Sequence, residues 1–185
     1  MKMNFKEFVK YYSYGFVRIF VDQIAIALFA VAVATGANGM SHTLVIASSV
    51  FSVLFFLFMV AELTFRQGTA DSEKIALGRF KKNNLTGLYM GLLANIPNLI
   101  LALMYAICRL FEAGNGAAAF ANIAMKLIYG EYLGLLTIEV GGRTLGLNPI
   151  SFFVMMVPAL LTAFIGYYVG VNNIIVIKPT KKDLE

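Results

Sequence analysis

From Thr43 to Ala61 the chain carries no charged residue, and Phe, Leu and Val make up much of the stretch. Such a run is long enough for one helix to cross the roughly 30 Å of hydrocarbon in a bilayer. The rest of the chain has a similar character, since 59% of its 185 residues are hydrophobic and 14% are charged. A soluble domain averages about 25% charged residues. The sequence therefore predicts an all-α integral membrane protein.

Four segments are long and apolar enough to form a four-transmembrane-helix bundle, which makes the chain, 1–185, a single transmembrane domain. The predicted spans are 16–37, 43–63, 85–110 and 149–170. Asn148 and Pro149 are residue types favoured at the N-cap and the first position of a helix, so they mark the start of the last span. A cleaved signal peptide is the alternative for the first span, but its long aromatic N-terminal region and Asp22 argue against cleavage.

Two further segments are amphipathic and are predicted to lie in the membrane interface. In 3–14, Phe5, Phe8 and Tyr12 form an apolar stripe while lysines recur at every fourth position. A frayed charged tail is the alternative there. The segment 119–140 is interrupted by charged side chains, so we predict an outer interfacial or re-entrant helix rather than a fifth span.

The stretch 64–84 is predicted to be a polar cytoplasmic loop in which Asp71 caps a short surface helix over 72–82. The C-terminal stretch, 171–185, is predicted to be a cytoplasmic tail.

The distribution of basic residues predicts the orientation of the chain. All of them except Arg109, Lys126 and Arg143 fall in the N-terminal region, in the loop or in the tail. Because basic residues concentrate on the cytoplasmic side, both termini are predicted to lie in the cytoplasm, at a bacterial plasma membrane. The net charge of +5 therefore predicts contact with anionic lipid headgroups and no binding of nucleic acid.

Several kinds of chemistry are excluded by composition. Cys108 is the only cysteine and His42 the only histidine, so neither an intrachain disulfide nor a cysteine or histidine metal cluster is expected. No serine, histidine and aspartate are placed as a catalytic set. We expect no cofactor and no enzymatic activity.

Asp22 and Gln23 are candidate ligand-binding residues, because an ionisable group within a membrane span is a functional-site hypothesis. The alternative is local: Arg18 lies four residues earlier on the same helix face, where it can pair with Asp22. Glu62 and Arg66 repeat this spacing.

Asn95, Pro97 and Asn98 form a polar interruption near the middle of the third predicted span. Pro97 lacks the N–H that would bond to the carbonyl of the fourth residue before it, so we predict a kink there. Two amides beside a freed carbonyl would suit a polar solute site, as in discontinuous transporter helices. The alternative is that they hydrogen-bond a serine of the second span: Ser48, Ser49 or Ser52.

Glu131 lies on the otherwise apolar face of the segment 119–140. We predict an outer polar pocket that Glu131 forms with Tyr129 and Tyr132. Its charge would be neutralised by one of three basic residues, Arg109, Lys126 or Arg143.

Small residues at four-residue spacing predict close approach of helix backbones within the bundle. The predicted packing residues are Ser48, Ser52, Gly87, Gly91, Thr162, Gly166 and Gly170. We expect the third and fourth spans to pack tightly, and a homodimer interface is the alternative.

A set of glycines and prolines carries a family resemblance. The motifs are Gly68-x-x-Asp71, Gly78-Arg79, Gly87-x-x-x-Gly91 and Pro97, then Pro158, Gly166-Tyr167 and the basic tail Lys178–Lys182. In roughly the C-terminal two thirds the chain thus resembles an uncharacterised family of small multi-pass membrane proteins of Firmicutes. Glu73 stands where those proteins often have Asn. The resemblance implies a shared multi-pass fold and no mechanism.

Two functions fit these features. The small-residue rows and the lack of a catalytic set favour a membrane subunit or accessory protein that packs against partner membrane proteins or a second copy of itself. The alternative is a solute-binding or transport component with a polar site around Asn95, Pro97, Asn98 and Asp22.

Overall fold

The computed structural model describes residues 4–36, 42–110 and 115–174, and these residues are mostly helical. The α-helices are α1 (Phe5–Gly36), α2 (His42–Ala76), α3 (Thr86–Ala94), α4 (Ile96–Leu110), α5 (Asn115–Ile128), α6 (Leu133–Leu136) and α7 (Pro149–Val171). Two 3₁₀ helices, Gly130–Tyr132 and Leu145–Leu147, and an antiparallel hairpin, β1 (Glu139–Val140) and β2 (Arg143–Thr144), lie between α5 and α7.

Three of the helices, α1, α2 and α7, are long and apolar enough to cross a membrane. The pair α3 and α4 meets the same criteria if the two are one span bent by 53°. Large apolar side chains such as Phe51, Leu54 and Phe58 point outward on α2 and are each more than half exposed. A water-soluble surface does not carry an apolar area of this extent. The predicted helical membrane protein is confirmed at this level.

Glycine contacts reveal the relative directions of the long helices. Gly166 of α7 lies against Ala61 of α2, and Gly170 lies against Phe65, so α2 and α7 run parallel. By contrast, α3 and α7 run antiparallel. Gly87 near the start of α3 contacts Tyr167, whereas Gly91, one turn later in α3, contacts Leu160, which comes earlier in α7. The start of α3 and the ends of α2 and α7 therefore meet at one end of the bundle, and the start of α1 lies there too, because Tyr12 hydrogen-bonds to Asp71 near the end of α2. We call this the basic end, after its lysines Lys6, Lys10, Lys74, Lys81 and Lys82.

The segment from α5 to α6 folds back on the other half of the bundle. Its turn is Gly130–Tyr132, where Gly130 lies against the backbone of Ala27 in α1. Gly134 lies against Val45 near the start of α2. The chain then returns through the hairpin to Pro149. Asn148 is the N-cap of α7, as predicted, since its Oδ1 accepts a 3.0 Å hydrogen bond from the backbone N–H of Ile150.

The predicted interfacial helix over 3–14 is not a separate element. The helix α1 continues from Phe5 through Gly36 without a break. Gly15, at the expected junction, is a buried position where α1 approaches Met90 of α3. The helix thus continues through a position that packs inside the protein, and both predicted segments belong to one element. Residues 3 and 37, the outer limits of the two predicted segments, lie outside the described residues.

The prediction of a loop over 64–84 was largely wrong, because α2 continues to Ala76. It ends just before Gly78, whose φ of +70° suits the left-handed conformation that commonly terminates helices. Asp71 is no N-cap: it lies within α2 and is fully buried. The physical reason is that Thr64, Gly68 and Asp71 share one helix face that packs inside the protein.

The segment 119–140 does not form the single helix that was predicted. The helix α5 ends at Ile128, and the 3₁₀ turn, the four-residue α6 and the strand β1 follow. The predicted tail 171–185 begins with the last residue of α7, Val171, and its lysines lie outside the described residues.

The predicted kink near Pro97 is confirmed, since α3 ends at Ala94 and α4 begins at Ile96. The backbone N–H of Asn95 is shared by the carbonyls of Gly91 and Leu92, both at 3.1 Å. By contrast, α7 is one helix through Pro158.

Candidate functional site

The break between α3 and α4 brings polar side chains from distant parts of the chain together inside the protein. We call Gln23, Asn95, Asn98, Tyr129 and Glu131 the Gln23 cluster. Gln23 comes from α1, and Tyr129 and Glu131 come from the turn after α5. The exposed fraction of these residues is between 0% and 6%.

Hydrogen bonds link four members of the cluster in a chain. Nε2 of Gln23 donates to Oε1 of Glu131 at 3.1 Å, and Oε1 of Gln23 accepts from Nδ2 of Asn98 at 2.8 Å. The same Nδ2 donates to Oδ1 of Asn95 at 3.0 Å. Nδ2 of Asn95 in turn donates to the carbonyl of Gly91 at 2.9 Å, which caps the last turn of α3. The cluster therefore joins α1, the helix break and the turn after α5.

Three side-chain oxygens of the cluster are buried without a hydrogen-bond partner: Oδ1 of Asn98, the hydroxyl of Tyr129 and Oε2 of Glu131. Burying a polar atom without a partner costs about 1–3 kcal/mol, and more for a charged group. Proteins rarely leave several such atoms together unless an ordered water, a bound species or a function accounts for them.

Local sequence explains why these side chains can meet. Pro97 cannot continue the hydrogen bonding of α3, so the chain bends and Asn98 is turned inward on the first turn of α4. Gly130 has no side chain, and a Cβ there would overlap the carbonyl oxygen of Ala27. The absence of a side chain at Gly130 lets the turn approach α1 closely enough for Glu131 to contact Gln23.

Of the residues predicted to bind a ligand, four lie in this cluster: Gln23, Asn95, Asn98 and Glu131. Pro97 is half-buried beside them and shapes the bend. Asp22 lies on another face of α1, where its Oδ2 is 3.7 Å from Nε of Arg18. The alternative interpretation of Asp22, a local ion pair, describes it better than a ligand site. Glu62 and Arg66 also pair.

The predicted surroundings of Asn98 and Glu131 differ from those observed. Asn98 bonds to Gln23 of α1, and no serine of α2 is among its hydrogen-bond partners in the described part of the chain. Glu131 takes part in neither of the two ion pairs found in that part, so Arg109, Lys126 and Arg143 do not neutralise it. Spacing within one segment could not show that Gln23, more than a hundred residues away, would be its partner.

A second buried polar group lies at the basic end and was missed by sequence reasoning. The carboxylate of Asp71 is fully buried. Its Oδ2 accepts hydrogen bonds from the hydroxyls of Tyr12 at 2.7 Å and Tyr167 at 3.0 Å, and its Oδ1 accepts one from Tyr11 at 3.1 Å. Lys74 contacts the hydroxyl of Tyr11. The only signal in the sequence was the helical spacing of Asp71 with Thr64 and Gly68.

The Asp71 carboxylate borders a pocket of about 290 Å³ at the basic end. The pocket is lined by aromatic, polar and basic side chains that include Phe8, Tyr12, Phe80, Lys81, Asn83 and Thr86. Because hydroxyl groups already occupy both oxygens of Asp71, this carboxylate is satisfied in a way that Glu131 is not.

The residues predicted for helix packing lie at several interfaces. Gly87 and Gly91 of α3 contact α7, whereas Gly166 and Gly170 of α7 contact α2. Ser52 is buried and lines a groove between α1 and α2. Two others are only half-buried: Thr162 borders a groove between α2 and α7, and the hydroxyl of Ser48 donates to the carbonyl of Val45 in its own helix.

Within residues 4–36, 42–110 and 115–174, no group of three His, Cys, Asp or Glu side chains is placed to hold a metal ion. The chemistry available to the Gln23 cluster is therefore that of one carboxyl group, amide oxygens and a phenol. Such a set can bind a small polar or positively charged species, and it has no nucleophile with an adjacent base.

Comparisons of this chain with protein-family models, with curated proteins and with solved structures gave no match.

Proposed function

We propose that this protein is a membrane-embedded solute- or ion-binding component of a transport process, and that the Gln23 cluster is its binding site. The observation that carries the proposal is the group of three buried oxygens without partners, on Asn98, Tyr129 and Glu131. Intramembrane polar groups of this kind commonly mark the path of a solute or an ion.

The architecture we propose has four crossings: α1, α2, the bent pair α3–α4, and α7. Its support is the parallel course of α2 and α7, because two parallel crossings require an odd number of crossings between them. The bent pair supplies one. The segment from α5 to α6 is then re-entrant, with its turn near the membrane centre and both of its ends on the outer side.

The orientation we propose has the basic end in the cytoplasm, and its support is the concentration of lysines there, since basic residues are enriched on the cytoplasmic side of membrane proteins. In this arrangement the first turns of α1, with Lys6 and Lys10 exposed, lie at the anionic headgroups. A plasma-membrane location in a bacterium remains part of the proposal.

The helix break strengthens the case for a binding site. Transporters place ligand-binding groups at discontinuous helices, where backbone groups and side chains are released from regular hydrogen bonding. The bend between α3 and α4 supplies Asn95 and Asn98 to the Gln23 cluster, and the turn after α5 supplies Glu131. Two interruptions of regular helix therefore meet at one polar site, where Gln23 of α1 bonds to Asn98 of one and to Glu131 of the other.

The alternative function, an accessory subunit that packs against partners through small residues, loses part of its basis. Four of those residues, Gly87, Gly91, Gly166 and Gly170, contact helices of the same chain. They do not offer a free surface to a partner.

The proposal is tested by the reactivity of a cysteine placed in the cluster. In a Cys108→Ser background, Asn98→Cys is treated with a charged, membrane-impermeant thiol reagent from each side of the membrane. A transport component must open its site to water, so the cysteine should react from at least one side. Leu103→Cys, on the lipid-facing side of α4, is the matched control and should stay unmodified. If Asn98→Cys reacts no faster than Leu103→Cys from either side, the site never opens and transport is excluded.

A further inference from the structure

We infer that the Gln23 cluster binds a single positive charge at Glu131, either as a proton on the carboxyl group or as a monovalent metal ion such as Na⁺. This inference rests on the proposed function and names the class of ligand that the site accepts.

The first argument is the missing countercharge. Glu131 is fully buried, and a carboxylate in a medium of low dielectric constant is strongly disfavoured unless a cation compensates it. The elements packed most extensively against its turn are α1, α2, α5 and α6, and Tyr132 of the turn also bonds to α7, a helix without charged residues.

None of these elements supplies a cation to Glu131. On α1, Arg18 and Asp22 pair with each other, and Gln23, which bonds to Glu131, is uncharged. The helix α2 has no charged residue from Thr43 to Ala61, and α6 has none. The Lys126 side chain of α5 lies against Gly146 instead.

The titratable groups nearest in sequence are Tyr129 and Tyr132, on either side of Glu131, and both are buried. The hydroxyl of Tyr132 donates to the carbonyl of Met155 at 3.2 Å. Neither phenol brings positive charge. His42, at the start of α2, contacts Thr137 at 3.0 Å.

The second argument is the kind of atom left free. Nitrogen donors of the cluster are already engaged, since the side-chain amides of Gln23, Asn95 and Asn98 each donate to an acceptor. The atoms without partners are all oxygens. Two of them, the amide oxygen of Asn98 and the carboxylate oxygen of Glu131, can only accept, so they attract protons and hard cations such as Na⁺ and repel anions. The third, the hydroxyl of Tyr129, can donate as well as accept. The site therefore selects a positive species.

The two sources of charge give different responses in the purified full-length protein. Thermal unfolding is followed in NaCl and in choline chloride at equal ionic strength and constant pH, and then in choline chloride across a range of pH. If Na⁺ is the ligand, Na⁺ should raise Tm by about 5–10 °C when present at about 100 times its Kd. If a proton is the ligand, Tm should fall as pH rises, because the folded state then loses a proton that it favours.

Glu131→Gln keeps the shape of the side chain and removes its charge, so this variant should lose whichever response the natural protein shows. Glu62→Gln is the matched control, because it removes a carboxylate that is already paired with Arg66, and it should keep the response. The inference is overturned if the natural protein responds to neither Na⁺ nor pH, or if Glu131→Gln responds as the natural protein does.

A second measurement keeps the inference testable if Glu131→Gln does not fold. Dicyclohexylcarbodiimide is an apolar reagent that modifies protonated carboxyl groups within membranes, and the modified peptide can be identified by its mass. Modification of Glu131 that is slowed by Na⁺ or by raised pH supports the inference. Absence of modification, or a rate independent of both conditions, overturns it.

This outcome can be separated from that of the proposed function. A cation response that depends on Glu131 together with an unreactive Asn98→Cys would leave a charge-binding site and exclude transport. A reactive Asn98→Cys without any cation response would leave transport and exclude this ligand.

Discussion

The hydroxyl of Tyr12 donates a 2.7 Å hydrogen bond to Oδ2 of Asp71, and this bond joins the start of α1 to the end of α2. The same carboxylate oxygen accepts a 3.0 Å hydrogen bond from Tyr167 at the end of α7. One buried carboxylate thus holds three helices together at the basic end of the bundle.

Removing the Tyr12 hydroxyl should therefore destabilise the protein. Hydrogen bonds to charged groups contribute about 1.5–3 kcal/mol, so Tyr12→Phe should lower the free energy of unfolding by about that amount. The measurement is equilibrium unfolding of the purified protein in micelles. Tyr14→Phe is the control, since Tyr14 is 68% exposed on the same helix and its change should leave Tm nearly constant. Equal stability of Tyr12→Phe and the natural protein would show that the hydrogen bond from Tyr12 to Asp71 contributes nothing.

The buried Asp71 carboxylate and its tyrosine partners show what the sequence could and could not predict. Gln23, Asn95, Asn98 and Glu131 could be identified from the sequence because each is a polar residue within an apolar run. Burying a polar group is costly, so its presence in such a run indicates a functional or structural role. Asp71 lies in a stretch rich in charged and polar residues, so the sequence does not distinguish it from its solvent-exposed neighbours. Its burial depends on tyrosines some 60 and 96 residues away.

Helix length was the weakest part of the sequence interpretation. Hydrophobicity measures which residues contact lipid, whereas helix continuity depends on backbone hydrogen bonding. The end of α2 beyond Thr64 is polar on its outer side, so hydropathy placed the boundary at 63 although the helix continues to Ala76. The bend at Pro97 was predicted correctly, because a missing N–H is a local property of one residue.

Close approach of α2 and α7 should make Gly170 intolerant of substitution. A Cβ there would overlap the carbonyl oxygen of Phe65 and contact the backbone of Thr69. Gly170→Ala should lower the free energy of unfolding by about 1–3 kcal/mol, the usual cost of overpacking. Gly116→Ala in α5 is the control, because nothing lies within 4 Å of its Cβ position. If Gly170→Ala is as stable as the natural protein, the two helices can move apart to accommodate the methyl group without a loss of stability.

Two adjacent serines provide a matched test of the contact between α2 and the segment we propose to be re-entrant. Oγ of Ser49 accepts a 2.6 Å hydrogen bond from the buried backbone N–H of Gly134. Ser49→Ala should cost about 1–3 kcal/mol of stability, because the N–H is left without a partner. Ser48→Ala removes only a bond to Val45 in its own helix and should have little effect. Tm is measured by thermal unfolding of both variants, and equal values of Tm would contradict the hydrogen bond between Ser49 and Gly134.

The number of membrane crossings can be tested most directly, because the α5–α6 segment either turns back within the membrane or crosses it completely. Lys82 contacts Asn172 at the basic end, whereas Arg143 lies in the hairpin just before α7, at the opposite end. In a Cys108→Ser background, Lys82→Cys should react with an impermeant reagent only from the cytoplasmic side, and Arg143→Cys only from the outer side. A full crossing between Leu110 and Pro149 would place Arg143 on the same side as Lys82. Labelling of both cysteines from one side would therefore overturn the four-crossing architecture, and with it the re-entrant turn that carries Glu131 to Gln23.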